Sequence, residues 1–248
     1  MNQNRDLKSP GFTNQAFARL LTWSVPLTLI VAAALIYFAR ALQPGQTIFA
    51  NDMDFAYSTQ MLLAEQLRAG DLPFWHPYVS SGLPLFVWDP LFYPPHLVAA
   101  LLPVSQSFAW AYIFHFALAG VGAYLLLKQL EATALGATVG ALVFMFNGYT
   151  VLRIFAGHFT YVYAAAWIPL IFYFAEKTLR ERRFEYVAAA GAALGMQALC
   201  AVFQLWLYTT LLLAIYLSVR IFTESPLPNV TRLKTILASA ARGGLIAA

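Results

Sequence analysis

Long apolar runs restrict the fold of this chain more than any other feature. Leu20–Ala39 carries no charge, and about 20 such residues form a helix that crosses the ~30 Å hydrocarbon core of a bilayer. Charged residues are 10% of the chain, against roughly 25% in soluble domains. We predict an all-α polytopic membrane protein with about seven transmembrane helices, the last one truncated. The other runs are Phe108–Leu127, Ala132–Phe146, Thr160–Ala175, Val187–Ala201, Leu205–Val219 and the incomplete Thr235–Ala248.

The distribution of lysine and arginine predicts the orientation. Cytoplasmic loops carry an excess of these residues, and a cytoplasmic N-terminus places most of the 15 there, including the cluster Lys177–Arg183. The net charge of +4 therefore sets membrane orientation and does not indicate nucleic-acid binding. We predict a multi-pass protein of the bacterial plasma membrane in which residues 42–107 form an extracytoplasmic loop.

Several common kinds of site are excluded by the sequence. Cys200 is the one cysteine, so neither a disulfide within the chain nor a two-cysteine metal motif is possible. Walker, GxGxxG, GxSxG and HExxH patterns are absent. We see a single transmembrane domain over residues 1–248, and because the chain stops inside an apolar run we expect a fragment of a longer polytopic protein.

The extracytoplasmic loop begins with a turn at Gln43-Pro44-Gly45. Phe55–Ala69 has an apolar face formed by leucines and a polar face, which predicts an amphipathic helix on the membrane surface. Gly70 fits the position just after the end of this helix. The loop therefore carries its own helix parallel to the membrane.

Asp52 and Asp54 stand at the start of that helix. An acidic residue there caps free N–H groups, but one cap is sufficient and two acids are present. The functional interpretation is a general base for an acceptor hydroxyl or a ligand for Mg²⁺ or Mn²⁺. The spacing does not choose between the two residues.

A stretch rich in proline and aromatic residues follows, and it carries further candidate residues. Its aromatic rings fit either an interfacial belt or flat faces for sugar rings. Further along, Arg153 and His158 fall in the connection between the third and fourth spans. Arg153 either binds a phosphate or snorkels to lipid headgroups. The candidate substrate-binding residues are Trp75, His76, Tyr78, Asp89, Tyr93, Arg153, His158 and Gln204.

Several motifs together resemble the YfhO-like bacterial membrane proteins over roughly residues 45–220. They are Leu72-Pro-Phe-Trp-His-Pro-Tyr, Gly82-Leu-Pro, Phe92-Tyr-Pro-Pro, Leu118-Ala-Gly-Val-Gly-Ala-Tyr, Ala141-Leu-Val-Phe-Met-Phe-Asn-Gly-Tyr, Gly157-His158 and Ala166-Trp-Ile-Pro-Leu. The resemblance implies GT-C glycosyltransferase architecture, a polyprenyl-phosphate-linked sugar as donor, and an essential acid at Asp52 or Asp54. The chain departs from that pattern at Cys200-Ala-Val-Phe-Gln204, where relatives show Gly-His-Pro-Gln and only Gln204 matches.

Three functions are compatible with these features. The first is a membrane glycosyltransferase; the alternatives are a transporter or flippase of a lipid-linked substrate and a non-catalytic assembly subunit. Transporters place ionisable groups at mid-membrane depth, whereas the polar residues here gather on one face. That distribution favours the transferase, with the lipid bilayer and a polyprenyl-phosphate-linked sugar as its partners and an unassigned oligomeric state.

Overall fold

The computed structural model describes residues 11–224 and residue 238, with side chains from residue 24 onward except Trp88 and Glu224. Most of this part is helical. The helices are α1 Gly11–Phe38, α2 Met53–Ala69, α3 Leu85–Trp88, α4 Pro94–Ala100, α5 Val104–Gln129, α6 Ala134–Met145, α7 Gly148–Ala156, α8 Phe159–Glu181, α9 Phe184–Ala198 and α10 Phe203–Glu224, with a 3₁₀ turn at Ala39–Leu42. A two-residue antiparallel strand pair, Trp75–His76 (β1) with Leu83–Pro84 (β2), lies in the loop between α1 and α5.

Five helical segments of the described part are long and apolar enough to cross a membrane. The prediction of an all-α polytopic membrane protein is therefore confirmed. The sequence predicts six spans in the same region, and the difference is α9. Its 15 residues extend about 22 Å at 1.5 Å per residue, which is shorter than the hydrocarbon core. The incomplete seventh span lies outside the described residues.

The third span is broken at Asn147. The candidate span Ala134–Ala156 consists of α6 and α7. The sequence predicts a connection without regular structure after Asn147, whereas the structure has the helix α7 there. The Asn147 side chain accepts a hydrogen bond from the Thr150 N–H at 3.0 Å and donates one to the Phe144 carbonyl at 2.5 Å. One amide thus closes α6 and caps α7, as asparagine does at helix starts.

The core of the bundle is aromatic and centres on α5, which packs against α1, α6 and α8. Phe38 stacks on Tyr112 with ring centroids 5.7 Å apart and meets Phe116 edge-on at 5.0 Å. On the other side Phe108 contacts Phe159 at 5.3 Å. These offset and edge-on pairs are the arrangements that aromatic rings prefer, and they fix α1 and α8 on either side of α5.

The two ends of the bundle differ in charge. At the end that we call the Arg180 end, Glu176 is fully buried and receives hydrogen bonds from Tyr216, Arg180 and Arg220. Arg180 also binds Glu131 at 2.9 Å, which ties α8 to the α5–α6 turn. The opposite end, where α2, α7 and α8 begin or end near one another, is the Asp52 end. The predicted orientation assigns the Arg180 end to the cytoplasm.

The loop between α1 and α5 is folded onto the bundle. Its helix α2 ends at Ala69, and the left-handed backbone of Gly70 (φ +85°) turns the Asp71 N–H back to the Gln66 carbonyl at 2.9 Å. The sequence predicts this role for Gly70. Leu63 of α2 packs with Leu91 and Ala100 in a small second core. This core holds the loop together, and α4 attaches it to the bundle by packing against α5.

Tyr93 attaches the loop more deeply. The His115 Nδ1 lies 2.6 Å from the Ala111 carbonyl, which can only accept, so Nδ1 carries the proton and Nε2 accepts from the Tyr93 hydroxyl at 2.7 Å. The Tyr93 oxygen in turn accepts from the Trp167 indole N–H at 2.8 Å. One tyrosine of the loop therefore joins α5 to α8 inside the bundle.

Candidate functional site

Asp52 is the residue just before α2, yet its side chain does not cap that helix. The carboxylate is directed across to α8, where its Oδ2 lies 3.0 Å from the His158 Nε2. Its backbone N–H donates to the Ala156 carbonyl at 3.3 Å. The loop and the α7–α8 junction thus meet at Asp52, although 106 positions separate the two side chains.

Gly157 makes this contact possible. It follows α7 with φ +84°, a conformation that glycine adopts without steric cost. A Cβ at this position would lie 2.8 Å from the Asp52 backbone nitrogen, which is closer than real Cβ contacts. The absence of a side chain here lets the two backbones approach and places His158 beside the carboxylate.

His158 accepts a hydrogen bond from Arg153 and donates one to Asp52. The Arg153 Nη1 lies 2.7 Å from the His158 Nδ1, and a guanidinium can only donate. Nδ1 is therefore the acceptor, and the ring proton is on Nε2, which donates to the Asp52 carboxylate. A neutral imidazole in this tautomer links a cation to an anion, and protonation of Nδ1 would bring two donors face to face.

Arg153 is held by aromatic rings as well as by His158. Its guanidinium carbon lies 4.9 Å from the Tyr149 ring centroid and 4.2 Å from that of Tyr161, within the range of cation–π attraction. The Tyr161 hydroxyl donates to the Gln204 side chain at 3.3 Å. We call Asp52, His158, Arg153, Tyr161 and Gln204 the Asp52 cluster; it joins the start of α2 to α7, α8 and α10.

Asp54 is not part of this cluster. Its carboxylate accepts the N–H of the next residue, Phe55, at 2.7 Å, and it is exposed in the first turn of α2. Within residues 24–224, no three His, Cys, Asp or Glu side chains come together as a metal-binding group. The two aspartates face different partners, His158 for Asp52 and the Phe55 N–H for Asp54.

The candidate residues of the aromatic loop divide into exposed and buried groups. Trp75 and Tyr78 are 55% and 84% exposed, so their rings are available to a substrate or a lipid. His76, Asp89 and Tyr93 are almost completely buried. Asp89 pairs with His96 at 3.1 Å, and burial of such a pair fits a role in holding the loop together.

A groove with a volume of about 320 Å³ is lined in part by Ile154, the chain neighbour of Arg153. We call it the Arg40 groove. It runs between the end of α1, the segment after the 3₁₀ turn, and Ile154, which is next to Arg153 in α7. Its walls are formed by Tyr37, Phe38, Arg40, Ala41, Gln46, Thr47, Ile48 and Ile154.

The Tyr57 hydroxyl holds one wall of this groove. It donates to the Ile48 carbonyl at 2.8 Å and accepts from the Thr47 hydroxyl. Burial raises the pKa of Tyr57 above its ordinary value, and the bond from Thr47 partly opposes that shift. The phenol therefore stays protonated at neutral pH and keeps its bond to the Ile48 carbonyl.

Some contributors to the site were not identified from the sequence. Tyr149 and Arg153 stand four residues apart on α7, a spacing that places side chains side by side on a helix, so this contact was detectable once a helix was recognised. Tyr161 and Tyr208, which receives a hydrogen bond from Gln204 at 3.1 Å, carry no local signal. Their contribution depends on how α8 and α10 pack.

The sequence was also compared with known proteins. It matches no protein-family model and no curated protein. The geometry of the Asp52 cluster and of the Arg40 groove therefore carries the functional argument.

Proposed function

We propose that the protein is a membrane glycosyltransferase of GT-C type that moves a sugar from a polyprenyl-phosphate donor to an acceptor outside the bacterial plasma membrane. The observation that supports this most is the Asp52 carboxylate. Its side chain is 67% exposed and is held by His158 at the end of the bundle opposite to the basic Arg180 end. A carboxylate that is both oriented and open suits a general base.

The proposed reaction uses Asp52 to take the proton of the acceptor hydroxyl. As that bond breaks, the acceptor oxygen forms a bond to the anomeric carbon of the sugar. The bond from that carbon to the phosphate oxygen breaks, and the polyprenyl phosphate leaves with the electron pair. Oδ2 of Asp52 is engaged by His158, so Oδ1 is the atom that receives the proton.

The rest of the Asp52 cluster orients the base in this proposal. His158 holds the carboxylate through its Nε2 proton, and Arg153 keeps that proton on Nε2 by donating to Nδ1. The exposed rings of Trp75 and Tyr78 offer apolar faces to the sugar. Titration with EDTA during transfer measures the dependence of the reaction on a divalent cation.

The test is transfer by the full-length protein in liposomes that contain a radiolabelled polyprenyl-phosphate sugar. Asp52→Asn should lower kcat by roughly 10²–10⁴-fold, which is the usual contribution of a general base. Asp54→Asn is the matched control, because it is two residues away, equally isosteric and outside the cluster; it should keep nearly normal transfer.

Folding of both variants is checked by thiol labelling of the buried Cys200, which should stay protected. Normal transfer by Asp52→Asn would contradict the assigned base. A wild-type protein that transfers no sugar from any polyprenyl-phosphate donor would contradict the proposed function as a whole.

A further inference from the structure

We propose that the Arg40 groove binds the phosphate of a single-chain isoprenoid phosphate, with Arg40 as its cation. This inference rests on the proposed function for the identity of the lipid, and it assigns the place where that lipid binds. The role of phosphate ligand thus passes from Arg153, for which the sequence suggested it, to a residue at the end of α1.

The charges at the Asp52 end point to Arg40. Arg153 already donates to His158 and is enclosed by Tyr149 and Tyr161. Arg68 donates to the Ala64 carbonyl of its own helix at 3.2 Å. Within residues 24–224, the Arg40 guanidinium makes no ion pair and is exposed at the groove, so its charge is available to an anion.

The depth of Arg40 fits a lipid phosphate. It stands two residues before the end of the candidate span Ser24–Leu42, which is the level where helix ends meet the headgroup region. The Gln46 side chain lies beside it in the groove and adds hydrogen-bond donors. Below this level Tyr37 and the strongly exposed Ile36 form an apolar flank along which a chain can run.

The size of the groove fits a phosphate with one chain. Its volume of about 320 Å³ is at the lower end of the ~300–1,000 Å³ of small-molecule sites. That space accommodates a phosphate and the first units of one isoprenoid chain. A glycerophospholipid would need room for a glycerol and the beginnings of two acyl chains. The groove also borders Ile154, which lies on α7, the helix that carries Arg153 of the Asp52 cluster.

The test is direct binding of farnesyl phosphate, a short isoprenoid phosphate, to the full-length protein in nanodiscs of neutral lipid. Arg40→Gln should weaken binding at least about tenfold, because a hydrogen bond to a charged group contributes ~1.5–3 kcal/mol. Arg40→Lys should recover most of the loss. Arg68→Gln is the matched control: it removes another arginine of the same end and should leave binding unchanged.

A second variant blocks the groove and keeps its charge. Ala41→Trp places a large ring in the groove and should also abolish binding, with Cys200 still protected from thiol reagents as evidence of folding. Unchanged binding by both Arg40→Gln and Ala41→Trp would overturn the proposal. Displacement of farnesyl phosphate by an equal concentration of phosphatidylglycerol would overturn it too, because the groove would then be a general site for anionic phospholipids.

Measuring farnesyl phosphate binding and sugar transfer separately distinguishes a failure of this inference from a failure of the proposed function. Binding of farnesyl phosphate that depends on Arg40, in a protein that transfers no sugar, would support the groove and contradict the transferase. Transfer that is insensitive to Arg40→Gln, together with unchanged farnesyl phosphate binding, would support the transferase and overturn the groove.

Discussion

Replacing Gly157 with alanine tests the contact that brings Asp52 to His158. Two costs are expected. A left-handed backbone costs an L-residue about 1–2 kcal/mol, and the new Cβ would meet the Asp52 backbone nitrogen at 2.8 Å and the Met53 nitrogen at 3.0 Å. Backbone atoms cannot rotate away as a side chain does, so the clash adds an overpacking cost of about 1–3 kcal/mol.

Gly70→Ala is a matched control for this substitution. Gly70 ends α2 with φ +85°, almost the same as the φ +84° of Gly157, but nothing lies within 4 Å of a Cβ added there. Gly70→Ala is therefore expected to have the cost of a left-handed alanine backbone but no steric clash of the new Cβ. The difference between the two variants measures the close approach of α7 to Asp52, and we expect Gly157→Ala to be less stable by about 1–3 kcal/mol.

The assay uses the chain's one cysteine. Cys200 is completely buried, so its labelling by a maleimide during a temperature ramp reports unfolding in detergent. Because membrane proteins often unfold irreversibly, the ranking of the variants at one heating rate is compared. Equal labelling curves for Gly157→Ala and Gly70→Ala would show that the Asp52 backbone does not lie against Gly157, and the Asp52 cluster would lose its structural basis.

Three other substitutions probe the interactions around the site. Arg153→Ala should lower kcat and leave the donor KM within about threefold, because Arg153 fixes the proton position on His158 and does not contact the donor in this proposal. A rise in KM with unchanged kcat would identify Arg153 as a phosphate ligand. Asp89→Asn should lower the Cys200 labelling temperature, since it changes a buried polar contact with His96 and a buried polar group left unpaired costs about 1–3 kcal/mol; a shift no larger than that of an exposed aspartate would mean that this contact does not stabilise the loop. Tyr93→Phe leaves two buried ring nitrogens without a partner, each at a cost of about 1–3 kcal/mol, and an unchanged labelling temperature would contradict the anchoring role of this hydroxyl.

The elements that were predicted correctly depend on local patterns. The helix of the loop follows from its apolar face and from Gly70, whose left-handed backbone is a property of the residue itself. The helix α7 was missed because Asn147-Gly148 is a common turn signal and the helical segment after it is only nine residues long. Asparagine serves a turn and a helix cap equally well, and only the surrounding structure decides which.

The site itself could be predicted in part. Counting spans places Asp52, Arg153 and His158 at one end of the bundle, and the structure brings these three side chains into contact. The order of their hydrogen bonds depends on distances across more than 100 positions, which no sequence pattern contains. Asp89 shows the opposite difficulty: a polar residue in a loop suggests substrate binding, but the way the loop packs buries it against His96.

The hydrogen bonds of Tyr93 restrict how the loop between α1 and α5 can move. A lid-like swing of α4 away from the bundle would break the bonds to both His115 and Trp167, at a cost of about 1–3 kcal/mol for each group left unpaired. Such an open state would be populated at a few per cent at most. Access to the Asp52 cluster therefore changes most easily through the segment between the 3₁₀ turn and Asp52. Gly45 gives that segment a positive φ, and its bonds to the rest of the loop pass through Tyr57.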